Sequence, residues 1–459
     1  MEFPLKRIDD FIWELPISYK KGMLVPGVFL GNQRVLSKIL SDGSINQLAN
    51  ASMLPGVRGR TMAMPDVHVG YGLPIGGVLP MDAKEGLVCP GATGYDINCG
   101  VRLLRTDLCK SDLKGMLKPL MSELFKNIPS GVGCTGKVRL SKNECKDVLE
   151  TGAAWAVKKG FGNAEHLSCI ESGGMLKASN PGTVSAGAFS RGADQLGTLG
   201  SGNHFLEVQI VDQVFDPETA SDFGLKLGGV VVMIHTGSRG LGHQVCGDFL
   251  SVMGKAVKKY RLPVPDLQLA GAPIQSQEGQ AYLSAMSCAA NYAWANRQVL
   301  SHLVEETFVH SLKLPRERVA MSLVYDMSHN IIKFEEHIVD GKKRKLAIHR
   351  KGATRAFPKK SKEVPEKYRG SGQPVIIPGD MGTASYVLSG SRRALENSFG
   401  SSCHGAGRAM SRSVAKKLAK GRAIDRELAD MGIICCAKGR QTLREEMPDA
   451  YKNIDDVIH

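Results

Sequence analysis

The chain has 459 residues, 42% of them hydrophobic and 23% charged. That length can bury a substantial interior, and that composition excludes disordered and collagen-like classes. The net charge of +14, from 59 Lys and Arg against 45 Asp and Glu, favours a polyanionic partner; nucleic acid is the first expectation and plain solubility the alternative.

In chain order, a strand is predicted over residues 101–108, then helices over 111–127 and 144–159. Strands follow over 205–211 and 230–235, then helices over 245–259 and 281–312. Further strands are predicted over 323–327 and 345–349, with Asp340-Gly341 as a hairpin turn between apolar runs. Residues 358–372 read as a basic, proline-containing loop. A strand over 375–377 and helices over 408–418 and 425–430 complete the chain. Helices and strands mix without a regular βαβ period. The expected class is therefore α+β, one large domain over residues 1–459 with a mixed or antiparallel β core surrounded by helices.

The 11 cysteines form no CxxC pair, and Cys435 and Cys436 are simply adjacent. Reduced thiols in a cytoplasmic protein fit better than a disulfide framework or zinc ribbon. The first 16 residues carry charges and no apolar signal core, and no apolar run reaches the length of a membrane span. Neither secretion nor a membrane partner is expected.

Chemistry concentrates at glycine-rich junctions. Asp96 and Cys99 sit three apart in a turn before a strand. A carboxylate and a thiolate at that spacing can reach one ion, and a thiolate can bridge two. A buried structural Cys beside a turn Asp is the alternative. His204 opens one strand, and His235 and His329 end two others beside Gly, Ser or Asn. Strand ends are where a scaffold presents site residues, and this donor set suits Mn, Zn or Fe better than Mg or Ca. Residues 400–408 form a Gly-rich turn expected to open a helix and to aim backbone N–H groups at an anion. Arg408 and Arg412 are expected one helical turn apart on the same face. His404 at its mouth is either a nucleophile or a hydrogen-bond donor to phosphate. Asp66 and His68 are placed in a turn, where metal ligation, support of a ligand and no role at all stay open. His349, Arg350, Lys351 and Arg355 form a basic cluster suited to phosphates or to solvent. His302 and His310 read as structural.

Taken together, the stretches PGATGYDINCGVRL, QLGTLGSGNHFLEVQ, VVMIHTGSRGLGHQV, YDMSHNI, HRKGATRAFP, PGDMGTASYVL and GSSCHGAGR resemble the RtcB family of RNA-splicing ligases. The resemblance implies an RtcB-like fold and two divalent ions per subunit, usually Mn2+. It assigns Asp96, Cys99 and His204 to one ion, and Cys99, His235 and His329 to the other. It makes His404 the nucleophile that takes GMP from GTP. It draws guanylate contacts from Asn203, His204, Phe205, Leu206, Glu207, His329, Asn330, Pro378, Gly379, Asp380, Met381, Ser385, Gly405, Ala406 and Gly407, with Tyr451 packing on guanine. Arg191, Arg239, Lys351 and Arg412 are implied contacts to RNA phosphates.

The implied activity joins RNA ends bearing a 2′,3′-cyclic phosphate or 3′-phosphate to 5′-hydroxyl ends, in tRNA splicing or RNA repair, with archease as a possible activator. A metal-dependent phosphoesterase acting on RNA cyclic phosphates is the alternative; a non-catalytic RNA-binding protein would leave the Cys/His set without a purpose. Two departures from the family pattern stand out. The sequence stops at His459, short of a terminal segment whose Lys contacts guanine, so either it is truncated or its guanine pocket lacks that Lys. Asp380 stands where the family often has a small hydroxyl residue, and a carboxylate beside phosphate is unfavourable unless a cation offsets it.

Overall fold

The computed structural model describes residues 4–39 and 42–459. The chain begins with β1 (Lys6–Arg7), β2 (Ile12–Leu15), β3 (Gly27–Leu30), β4 (Thr61–His68), β5 (Ile75–Asp82) and β6 (Gly100–Cys109). Three helices follow: α1 (Leu117–Asn127), α2 (Lys142–Thr151) and α3 (Ala153–Lys158). Then come β7 (Phe205–Ile210), β8 (Gly229–Thr236), α4 (Arg239–Lys259) and α5 (Gln277–Leu312). The next strands are β9 (Ser322–Ser328), β10 (Asn330–Val339), β11 (Lys342–Lys351) and β12 (Ala353–Arg355). The last part holds β13 (Pro374–Ile377), β14 (Tyr386–Ser389), β15 (Ser401–Cys403), α6 (Arg412–Leu418) and α7 (Ile424–Asp430).

Two main sheets organise these elements. One has seven strands in the order β1-β2-β3-β4-β5-β11-β10, antiparallel except for the parallel β3–β4 pair. The other has four, β9-β6-β8-β7, all antiparallel. The fold is thus the mixed α+β arrangement that the sequence implies. All eight residues of β8, Gly-Val-Val-Val-Met-Ile-His-Thr, are buried. A continuous apolar strand of this kind needs cover on both faces. Much of the core lies against α5, a 36-residue helix whose Ser276 cap accepts a hydrogen bond from Gly279 N. Its small residues, among them Ala285, Ala289, Ala290 and Ala293, are fully buried and let the sheet approach closely. Among the described residues, no helix is long and apolar enough to cross a membrane.

Several expected boundaries move. The helix predicted over 144–159 divides into α2 and α3 at Gly152 (φ +58°), where a Cβ would meet Gly174 O at 2.2 Å. α4 starts six residues early, at Arg239. The expected helix over 408–418 begins only at Arg412, after the Ser411 cap, because Arg408 bridges to Tyr451 and Ala409 N bonds Ala450 O, while residues 401–403 pair with β12 as a strand. The Gly-rich turn at 400–408 therefore opens onto no helix, and the anion site expected from a helix N-terminus is absent at His404.

Candidate metal centre and adjoining cavity

Sheet register explains why distant residues meet. Val101 pairs with His235, Gly100 with both Thr236 and Ser328, and Phe205 with His235. These pairings bring the Asp96–Cys99 turn, His204, His235 and His329 to one end of the four-stranded sheet. Cys99 Sγ lies 3.3 Å from His204 Nε2 and 3.3 Å from His235 Nε2. His235 Nε2 lies 3.3 Å from His329 Nε2, and His204 Nε2 lies 2.9 Å from Asp96 Oδ2. Two donor triplets result, Asp96/Cys99/His204 and Cys99/His235/His329, each with its atoms within 4.8 Å of one another. Cys99 belongs to both.

The donors suit metal ions chemically. His235 Nδ1 bonds Asn203 O at 2.9 Å and His204 Nδ1 lies 3.1 Å from Leu199 O. For His235 the carbonyl partner fixes the proton on Nδ1 and leaves the Nε2 lone pair for a ligand, whereas His204 Nδ1 also faces the Arg239 guanidinium. Burial, aided by the neighbouring histidines, pushes His235 and His329 well below the ordinary histidine range, so both rings are neutral. Burial works to raise the Asp96 carboxyl, but the hydrogen bond and charge of His204 hold it below its ordinary value. Asp96 Oδ1 accepts from Ser238 N at 2.9 Å and Ser238 Oγ at 3.1 Å, which turns Oδ2 toward His204. These residues form a candidate binding cluster for soft or borderline divalent ions.

Beneath the cluster lies Arg297 of α5, fully buried. Its Nη1 donates to Asn98 O at 2.8 Å and Thr236 O at 2.9 Å, and its Nη2 donates to Asn98 Oδ1 at 3.1 Å. Its Nε and Nη2 reach Asp326 at 2.9 and 2.8 Å. Asn98 adjoins Cys99, Thr236 adjoins His235, and Asp326 precedes His329 by three. One guanidinium thus ties together three of the loops that carry donors. Arg102 shares Asp326 at 2.6 Å but turns away to Gln298 and Ser301.

His404 stands beside this cluster, its ring centroid 4.8 Å from that of His329. Asp66, fully buried in β4, accepts from His404 N at 3.0 Å and contacts His404 Nδ1 at 2.5 Å. The geometry selects support of His404 among the roles left open for Asp66, and places it in a strand. A protonated Nδ1 leaves the free ring lone pair on Nε2. Gly407 is required nearby: φ is +71°, and a Cβ there would meet Asp66 O at 2.2 Å.

His404 opens into a cavity of about 770 Å³ lined by residues 203–207, 378–381, 404–407 and Tyr451. Ser385 lies just behind that wall, its Oγ accepting from Gly379 N at 3.2 Å. Asn330 sits beside the donor cluster, donating to Asp96 O at 3.0 Å. Glu207 is a half-buried carboxyl of the cavity wall pushed up to about 7 by desolvation, against the hydrogen bond from Gln209 and with Asp380 adding to the rise. Asp380 caps its own turn, accepting from Gly382 N at 2.8 Å and Thr383 Oγ1 at 3.0 Å.

The expected phosphate contacts divide. Arg412 lines the cavity and pairs with Glu446 at 3.0 Å. Arg191 is exposed and donates to Gln244 at 3.1 Å. Arg239 is buried, with Nη1 3.0 Å from His204 Nδ1. Lys351 is 6% exposed; its Nζ donates to the carbonyls of Tyr71 and Gly91, and burial lowers it to about 7. Lys351 is therefore a structural tie between loops and is closed to a phosphate. Arg408 and Arg412 do not form a helical pair; both reach Glu446, which also accepts from the Tyr451 hydroxyl. Sequence reading missed Glu446 and Arg297, since an acid in a charged run and an Arg in a long helix carry no local signal.

Known proteins place the chain. A family model described as tRNA-splicing ligase RtcB matches residues 47–459. A protein named tRNA-splicing ligase RtcB from Archaeoglobus fulgidus is 54% identical over 458 residues, covering 100% of this chain and 95% of that relative. One of the same name from Thermococcus kodakarensis is 52% identical over 455 residues, covering 99% of this chain and 94% of the relative. A third, from Methanococcus maripaludis, is 50% identical over 458 residues, covering 100% and 95%. A match of that extent, over residues that include every donor of the candidate metal cluster and His404, means that the chain belongs to the RtcB family.

Proposed function

We propose that the protein is an RNA ligase of tRNA splicing or RNA repair that uses GTP and joins 2′,3′-cyclic phosphate or 3′-phosphate ends to 5′-hydroxyl ends. The observation that carries this reading is His404, held through Nδ1 by Asp66 at 2.5 Å, between a donor cluster for two metal ions and a cavity large enough for a nucleotide. Family membership and the net charge of +14 support it.

Asp96, Cys99 and His204 would hold one divalent ion, and Cys99, His235 and His329 the other. Such ions, Mn2+ by family resemblance, would supply charge neutralisation and polarisation at phosphoryl oxygens when bound. His404 Nε2 attacks the α-phosphorus of GTP. A P–N bond forms, the bond to the bridging oxygen breaks, and pyrophosphate leaves. Asp66 stabilises the positive charge that develops on the ring. Water opens the RNA cyclic phosphate to a 3′-phosphate, whose oxygen attacks the guanylate phosphorus and releases His404. The 5′-hydroxyl then attacks the activated 3′-phosphate, and GMP leaves as the new phosphodiester forms. The walls formed by residues 203–207 and 378–381 hold the nucleotide, with Tyr451 against its base.

The test is end joining. With Mn2+ and GTP, a 3′-phosphate oligoribonucleotide and a 5′-hydroxyl oligoribonucleotide give a joined product, which His404→Ala abolishes. Opening of the cyclic phosphate without GTP and without joined product would instead identify a phosphoesterase.

A further inference from the structure

Three rings gather directly beside the metal cluster and outside the nucleotide cavity. Tyr95 adjoins Asp96 in sequence and is 39% exposed. Its ring lies 5.6 Å from Tyr71, edge to face, and 6.2 Å from His243, stacked at 26°. His243 is exposed on the first turns of α4, one residue before Gln244, the partner of Arg191. None of the three rings lines the cavity that holds His404.

This group is built, not incidental. Lys351 Nζ donates to Tyr71 O and Gly91 O, tying from beneath the two loops that carry Tyr71 and Tyr95. Gln268 closes the same loops: its Oε1 accepts from Gly72 N at 2.9 Å. A Cβ on Gly72 or Gly91 would meet Gln268 O at 2.6 or 1.9 Å. A buried cation and two obligatory glycines thus hold exposed aromatic faces in fixed positions, an arrangement the folded core does not need.

We propose that Tyr95 and His243 form a stacking platform for an unpaired nucleobase at an RNA end, with Arg191 meeting the adjoining phosphate. This rests on the ligase reading and adds a subsite to it. Single-stranded RNA is recognised by stacking splayed bases on aromatic rings, with cations following the backbone. The chemistry must seat two RNA ends as well as a guanylate, and the guanylate occupies the His404 cavity. Tyr95 is the chain neighbour of Asp96, so a base stacked on it lies beside the donor cluster, and the net charge of +14 complements the strand.

The experiment uses the full chain loaded with Mn2+. 2-Aminopurine is placed at the terminal nucleotide of a 3′-phosphate oligoribonucleotide or, separately, of a 5′-hydroxyl one. Stacking predicts that one of the two probes is quenched on binding. Tyr95→Ala and His243→Ala lose the quenching, and Tyr95→Phe keeps it. Tyr95→Ala also weakens binding of that strand by about tenfold, the size of one base–aromatic stack. An abasic nucleotide at the same position makes wild type and Tyr95→Ala bind equally. Quenching and affinity unchanged in Tyr95→Ala, or no quenching of either probe by wild type, overturns the platform. Guanylate adduct formation from GTP without RNA is measured in parallel. Its absence in wild type overturns the ligase reading, and quenching with that result rules on base stacking alone.

Discussion

His404 donates through both its backbone N–H and its ring Nδ1 to one carboxylate, Asp66. This fixes ring orientation and tautomer together. Asp66→Asn would present an amide N–H to Nδ1 and favour the wrong tautomer. Adduct formation with GTP, followed in single turnover, should then fall by at least about 100-fold while the metal content stays unchanged. A rate within a few fold of wild type would remove Asp66 from the mechanism. Glu207 allows a pH test. Its folded pKa of about 7 lies above the ordinary carboxylate value because burial disfavours the charged form. Both states are protonated below the unfolded pKa, so no cost exists there. The cost grows as pH rises toward 7 and is complete above it, up to about 3 kcal/mol for a shift of this size. Glu207→Gln should therefore gain thermal stability over wild type at pH 8 and not at pH 4. An equal difference at both would contradict the assignment. The identity of these residues was legible in the sequence, since each sits at a Gly-rich junction. Their partners were not: Asp66 and His404 are 338 positions apart and meet only through tertiary packing, which the close approach of Gly407 to Asp66 permits.

At the scale of elements, the strands that carry donors were readable. β6, β7, β8 and β9 are apolar runs that end in polar loops, and their positions agree closely with expectation. Elements whose identity depends on tertiary pairing were not. Residues 401–403 follow a glycine and precede a basic helical pattern, yet pairing with β12 makes them a strand. Gly152 breaks a helix because Gly174 O occupies the space of a side chain. β1–β5 went unread because their alternation is weak and the β4 run contains Pro65 and Asp66. α5 was seen as a helix, but its role as the floor of the metal cluster depends on Arg297, which local pattern cannot show. Arg297→Met leaves the Asn98 and Thr236 groups without donors and Asp326 with one cation. The expected loss is about 3–5 kcal/mol of stability. In the fraction that stays folded, Mn2+ stoichiometry should fall, whereas Arg102→Met, which touches Asp326 but neither donor loop, should keep the metal. Full metal loading in Arg297→Met would show that the loops hold their geometry without it.

For the whole molecule, the metal cluster and the charge make separate predictions. Ions bound only by the folded chain stabilise it by mass action, about 2.7 kcal/mol at one hundred times the dissociation constant. Chelation should lower the thermal midpoint in wild type and have no effect in Cys99→Ala, which removes the ligand shared by both triplets. The net charge of +14 predicts that RNA affinity falls steeply with salt, with a logarithmic slope near −3 for about four phosphate contacts on a single strand. Adduct formation with GTP, confined to the cavity, should depend on salt far less. A sequence gives net charge directly. It does not say which cations face solvent: Lys351 and Arg239 are buried as structural ties, and Arg191 and Arg412 are the members of that expected set left at an accessible surface.

In the proposed reaction the covalent step belongs to His404, and Cys99 holds metal. The direct measurement is mass mapping of the full chain after reaction with GTP and Mn2+ in the absence of RNA. The expected product is one added guanylate, acid-labile as a phosphoramidate, on the peptide containing His404, and none in His404→Ala. A guanylate on Cys99 or another side chain, or no adduct on a folded, metal-loaded chain, would contradict it.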